Sequence, residues 1–217
     1  MMGCASHPSV QPKLTPTGES SHGFTLAAEN IIPVYWRRWG LNQYTDWGIR
    51  VGIPLSGSGI DMNRIIYKRD RRWDILNLAY NLSPNASYDF TYYRFKIGER
   101  APEGVSNKIS WSGFRGMIIP EGISGGSSVR FGILYGRQLN KSFGVEVGYS
   151  HDLQSLPLSK IMDFNWDPYD TTTVNKYGSG YQNYPHKYQG LPSEYSRQVG
   201  LSMQVFMYLG TRDKKKR

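Results

Sequence analysis

An all-β protein, built as a closed antiparallel up-and-down β-barrel that crosses a membrane, is the fold class this sequence predicts. Three observations carry that expectation. Several segments alternate apolar and polar residues with period two, which a helix cannot imitate. The face opposite the apolar one is made of Gly, Ser and Gln with single charged residues between them, where a soluble sheet would show Lys, Glu and Thr. Aromatic residues reach 14% and Gly 24 of 217, although hydrophobic residues make up only 39%. No run approaches the ~18 consecutive apolar residues that a transmembrane helix needs, so any crossing must be made by strands. A chain of 217 residues makes one domain the default.

The chain divides into a tether (residues 1–19), a barrel (residues 20–210) and a basic tail (residues 211–217). Around Cys4, the run Met1-Met2-Gly3-Cys4-Ala5-Ser6 resembles the end of a bacterial lipoprotein signal, which makes Cys4 a candidate lipid anchor. Residues 5–21 are rich in Ser, Pro, Thr and Gly, the composition of a flexible linker. Two extended stretches follow at 20–28 and 32–40, with Phe24, Leu26 and Ala28 alternating in the first. Residues 45–55 set Trp47, Ile49, Val51, Ile53 and Leu55 against Asp46, Gly48, Arg50, Gly52 and Pro54. Residues 60–68 carry Ile60 and Met62 opposite Asp61 and Asn63. Residues 74–82 carry Leu76, Leu78, Tyr80 and Leu82 opposite Asn77, Ala79 and Asn81.

The strands at 88–97 and 108–119 are aromatic-rich and mixed, so their facing stays open. Clear alternation returns at 129–139, where Phe131, Ile133, Tyr135 and Arg137 face away from Arg130, Gly132, Leu134, Gly136 and Gln138. It continues at 143–151, with Phe143, Val145, Val147 and Tyr149 against Gly144, Glu146, Gly148 and Ser150. The last strand, within 195–209, sets Val199, Leu201, Met203, Val205 and Met207 against Gln198, Gly200, Ser202 and Gln204. The count is ten strands, or eight if the first two are not strands. Tight turns at 41–44, 68–72 and 140–141 all fall on one side in an up-and-down count, together with the long connection at 98–107. Looser ones at 56–59, 83–87 and 120–126, and the large excursion 152–194, fall on the other.

Alternation assigns the charges. Arg50, Arg130 and Glu146 lie on the small, polar faces, so they are expected to form a lumenal charge network, because charges inside a narrow barrel must be paired or hydrated. Ten strands enclose a space that side chains largely fill. Trp36, Trp39, Trp47, Trp73, Trp111 and Tyr149 are the candidates for interfacial aromatic girdles.

Lys+Arg number 26 against 17 Asp+Glu, a net charge of +9. Much of the excess sits in two runs, 68–72 and 212–217, read as a solvated turn and tail. No glycine-rich phosphate loop, zinc spacing or RNA-binding aromatic signature accompanies them, so no nucleic-acid partner is expected. The four histidines, His7, His22, His151 and His186, do not pair at i, i+4, so neither a metal site nor a cofactor is expected. Ser150-His151-Asp152 makes no triad, because neighbours in a strand point to opposite faces. Asp163, Asp167 and Asp170 miss the calcium-loop spacing.

The hairpin Tyr35-Trp36-Arg37-Arg38-Trp39-Gly40-Leu41-Asn42 followed by Asp46-Trp47-Gly48-Ile49-Arg50-Val51-Gly52 is similar to those of small bacterial outer-membrane β-barrel proteins. The pair Phe131 to Arg137 and Gly144 to Tyr149 repeats the style. The resemblance covers residues 20–210 in pattern and implies fold and an outer-membrane location, with tight turns in the periplasm. Members of that family close on a terminal aromatic; here Phe206 and Tyr208 stand near the end, but Leu209 and a basic tail follow. The expected function is non-enzymatic: a structural or surface-interaction barrel with a largely plugged lumen. Its partners would be outer-membrane lipid and, through residues 152–194, an external glycan or protein. The alternatives are a narrow porin-like channel for small solutes and a soluble lipocalin-like ligand-binding barrel.

Overall fold

The computed structural model describes residues 10–27, 30–53, 57–82, 86–98, 109–120, 128–153 and 199–213. Cys4, His7, His186, the connection 99–108, the aspartates at 163, 167 and 170 and nearly all of the 152–194 excursion lie outside the described residues. The described chain forms ten strands: β1 Glu19–Ala27, β2 Asn30–Asn42, β3 Thr45–Val51, β4 Gly59–Arg69, β5 Arg72–Asn81, β6 Ser87–Ile97, β7 Ile109–Ile119, β8 Ser128–Gln138, β9 Phe143–Asp152 and β10 Val199–Asp213. Each pairs antiparallel with its sequence neighbours, and β1 pairs with β10 to close the barrel. Closure removes every sheet edge. Both N-terminal strands form, so the count is ten rather than eight.

The tight turns gather at one end. Tyr44 donates its backbone N–H to Asn42 Oδ1 (2.9 Å) between β2 and β3, and Ser142 and Phe143 donate theirs to Asn140 Oδ1 (both 2.8 Å) between β8 and β9. Asn side chains do this where the chain reverses, because they reach their own backbone two residues on. At the β4–β5 turn Asp70 takes a left-handed φ of 46°, which short polar residues tolerate.

Alternation sets the two faces of the wall. On β3, Trp47 and Val51 are exposed while Asp46, Gly48 and Arg50 are buried. On β6 and β7, whose facing alternation alone leaves open, Phe90, Phe114 and Ile118 are exposed while Asp89, Tyr93, Phe95, Trp111 and Arg115 are buried. The interior is divided along its length. Toward the turn end it is an apolar cluster of Trp73, Ile75, Tyr93, Phe95, Trp111 and Phe206 with their neighbours. Toward the loop end it is mostly polar.

The segment expected as a tether is, from Val10 onward, part of this core. Val10 is 3% exposed and packs in the aromatic cluster. Its carbonyl accepts the Tyr208 hydroxyl (2.9 Å), and the Pro12 carbonyl accepts the Trp73 indole N–H (2.9 Å). Gly18 donates to the Gly40 carbonyl (3.2 Å). A side chain at Gly40 would stand 2.1 Å from the Pro16 carbonyl, so only glycine lets the segment lie this close. Its composition resembles a linker, but its carbonyls satisfy buried donors that would otherwise have no partner. Removing residues 1–16 is therefore expected to red-shift tryptophan emission and lower the unfolding midpoint. Unchanged emission and stability would show that the segment is not part of the core.

Large inward side chains rest against glycines on the neighbouring strand. A Cβ at Gly136 would stand 2.2 Å from the Trp111 ring, whereas at outward-facing Gly116 it would meet only the Phe90 carbonyl at 4.0 Å. Gly136→Ala should cost about 1–3 kcal/mol as an overpacking change, read as a lower urea or thermal midpoint. Gly116→Ala should leave the midpoint within experimental error, and equal effects at both positions would disprove the packing account.

Candidate functional site

Among the described inward-facing side chains, four arginines (Arg38, Arg50, Arg115, Arg130) stand against four carboxylates (Asp46, Asp61, Asp89, Glu146), all buried. Arg38 is at the centre. Its Nε and Nη2 donate to Asp46 Oδ1 at 3.1 and 2.8 Å, and its Nη1 donates to Asp61 Oδ2 at 2.5 Å. The geometry follows from the register, in which Arg38 lies opposite Gly48, and Gly48 opposite Asp61. Glycine between the two charged residues leaves the room in which the guanidinium lies flat across β3 to reach β4. The second Asp46 oxygen accepts the Thr15 backbone N–H (2.9 Å), so the same carboxylate joins the N-terminal segment to the wall.

From Asp61 the network runs on around the barrel. Asp61 Oδ2 accepts Asn77 Nδ2 (2.9 Å), which also donates to Asn63 Oδ1 (2.7 Å). Arg50 Nε lies 3.8 Å from Asp61 Oδ1, and its Nη2 donates to Asn81 Oδ1. Asn81 donates to the Ser87 hydroxyl (2.8 Å), which donates to Asp89 (3.4 Å), and Asp89 also accepts Arg115. Six consecutive strands, β2 to β7, are thus tied by side chains inside the wall. Across the lumen, Glu146 accepts the Trp111 indole N–H at 2.7 Å. Gln204, 1% exposed, has neither amide atom bonded to a protein group among the described residues.

Arg50, Arg130 and Glu146 all face the lumen, at 3%, 1% and 2% exposure. They stand on three strands, β3, β8 and β9. Arg50 works through Asp61 and Asn81, Glu146 sits beside the aromatic half, and Arg130 lies opposite Met117 on β7. Alternation missed Arg38, Asp46, Asp61, Asp89 and Arg115 as members. Parity already holds the signal for Asp46 and Asp61, which share a face with Arg50 and Asn63. For Asp89 and Arg115 it was masked, because inward Tyr93, Phe95 and Trp111 make their strands look apolar on both faces.

The girdle expectation is corrected for three residues. Trp36, Trp73 and Trp111 point into the barrel, at 1%, 8% and 1% exposure. An indole fits there because it brings a large apolar surface and one donor, which Trp73 and Trp111 satisfy inside. Trp39, Trp47 and Tyr149 lie on the outer face; Trp39 and Trp47 stack at 4.7 Å, and the Arg37 guanidinium sits 5.2 Å from the Trp39 ring centre. Ser150 and His151 fall on opposite faces of β9, and His151 Nδ1 is 3.2 Å from the Tyr149 hydroxyl. Among the described residues no three His, Cys, Asp or Glu gather as a metal site. Phe206 and Tyr208 are inward core residues, and β10 runs on past them to Asp213.

Compared with family models, curated proteins and solved structures, the chain matches none.

Removing one member of a buried ion cluster strands the others. Arg38→Met should lower stability by about 3–5 kcal/mol, and adding Asp46→Asn and Asp61→Asn should restore most of it. Urea unfolding of the single and triple variants decides: a triple variant no more stable than the single one would show that Arg38 acts by packing, not charge.

Proposed function

We propose that this chain is a transmembrane β-barrel of a bacterial outer membrane, non-enzymatic, with a lumen filled by its own side chains and N-terminal segment. Its role on this reading is structural or one of surface interaction, with residues 152–194 as the external contact. The observation that carries it is the inversion of the wall. Twenty-six large apolar side chains are exposed among the described residues, while four arginines and four carboxylates are inside. On β4–β8 the exposed ones form continuous rows, such as Met62, Leu78, Phe90 and Phe131 in register around Gly116. A soluble monomer rarely exposes a contiguous apolar patch above a few hundred Å². A lipid-facing barrel requires one, apolar outward and polar inward. A lipocalin-like barrel would need the reverse arrangement.

The filled lumen favours a plugged barrel over a channel. Equal numbers of opposite charges lie inside, and Val10, Pro12 and Thr15 engage the wall at the turn end.

The protein is expected in the membrane fraction, extracted only by detergent, with a gel mobility that shifts on boiling. Recovery in solution without detergent would overturn the membrane reading. In planar bilayers the full chain is expected to give no stepwise conductance; steady ohmic steps would favour the porin-like alternative.

A further inference from the structure

The outer wall over β4–β8 ends, at the tight-turn side, in a row of cations. Register places Arg69 opposite Arg72, Arg72 opposite Lys96, Lys96 opposite Ser110, and Ser110 opposite Arg137. Arg69, Arg72, Lys96 and Arg137 are exposed. Like charges directly opposite each other destabilise a sheet, and here the arrangement occurs twice in succession. Asp70 approaches Arg69 at 3.7 Å, but both side chains are about four-fifths exposed (78% and 85%), so water screens that pair. The next row up is close to neutral: Asp74 takes Arg94 (3.2 Å) and the Tyr92 hydroxyl (2.5 Å), flanked by Tyr67, Ser112 and Tyr135.

Above it, Arg64 on β4 aside, the outward residues of these strands are aliphatic, aromatic or glycine. A furrow of about 740 Å³ crosses the same strands between the Met62–Leu78–Phe90–Phe131 row and the Ile60–Tyr80–Tyr88–Ile118 row. Gly116 deepens it, since nothing stands over its position on the outer face. Rows on one face are two residues apart, so the cationic row lies about 20 Å along the strands from the furrow. The row itself spans four strand spacings, about 19 Å. A cationic band one acyl-chain length from an apolar furrow, on one continuous face, matches an amphiphile with an anionic head.

We propose that the β4–β8 face binds anionic glycerophospholipids, their phosphates ranged along the row of Arg69, Arg72, Lys96 and Arg137 and their acyl chains on the apolar rows leading to the furrow at Gly116. This rests on the membrane reading above, with the tight turns on the periplasmic side. Opposed cations are then relieved by bound phosphate, and the partner is selected by charge as well as by greasiness. Free acidic partners in solution would meet the cations without using the furrow.

Trp47 faces outward, lies opposite Met62 in register and lines the furrow, so its emission reports on lipid lodged there. The protein would be placed in phosphatidylcholine vesicles containing either brominated phosphatidylglycerol or brominated phosphatidylcholine, and quenching compared. The expected result is an apparent preference for phosphatidylglycerol of about fivefold, falling toward one in R69Q/R72Q/K96Q/R137Q and at high salt. Quenching by brominated phosphatidylcholine should be equal in both proteins, which shows that the variant is folded and inserted. Equal quenching of the wild type by the two lipids, or a preference that survives in the variant, would overturn the proposal and leave the membrane reading standing. Absence of quenching by either lipid would overturn both.

Discussion

The interior depends on one guanidinium. Arg38 is 0% exposed, and in that position it must find two acceptors or cost several kcal/mol. It finds Asp46 on β3 and Asp61 on β4, and each of those carries a further tie. Asp46 takes the backbone of the N-terminal segment, and Asp61 takes Asn77 on β5 and approaches Arg50 on β3. Moving any strand of this set by one residue would turn its charged member outward onto an apolar face. Register, segment docking and charge balance are therefore parts of one requirement. The hydrogen bonds of an up-and-down barrel do not by themselves distinguish one register from a neighbouring one, and buried ions do.

The aromatic half solves the same problem of filling a narrow lumen by volume. Trp111 lies over Gly136, and Trp36 over Gly23, so each indole takes the space its cross-strand partner leaves. Glycine weakens a strand, and its frequency on the inward face is the cost of admitting rings and guanidinium groups into so small a cross-section. The two halves meet where Trp111 donates to Glu146, and where Tyr208 and Trp73 donate to carbonyls of the N-terminal segment. The ring donors point at acceptors within or beside a greasy cluster, so an apolar core and a docked polar backbone support each other.

Much of this was legible. The strands β3, β8, β9 and β10 announce themselves by strict alternation, and their parity assigns Arg50, Arg130 and Glu146 to the lumen. Parity fails where a strand has large side chains on both faces. In β6, Tyr92 and Tyr93 are adjacent and point to opposite sides, so composition says nothing about which is inward. Tryptophan is misleading for the same reason, since an amphipathic ring suits a membrane interface and a barrel core equally. Arg37 and Arg38 are indistinguishable by type. Only the turn between β2 and β3, which sets Arg38 opposite Gly48, separates the one over Trp39 outside from the one that bridges two carboxylates inside. Residues 10–16 read as linker because their contribution is made by backbone carbonyls, which no residue type reveals.

A lumen organised in this way has its chemistry occupied by packing. Among the described residues, four buried cations and four buried anions are engaged within the wall or held beside it, and the turn end is occupied by the chain's own segment. Within the same residues the Gln204 amide finds no partner inside, and the charges left uncommitted are on the outside. There the charges are not balanced: among the described residues, exposed cations crowd the tight-turn end, while the outward residues of β4–β8 at the loop end are Ile60, Tyr80, Tyr88, Ile118 and Val129. The inside is charge-balanced and closely packed, whereas the outside is polarised along its length. For a barrel of this width that is the arrangement physics favours, because a pore and a well-packed ion cluster compete for the same volume.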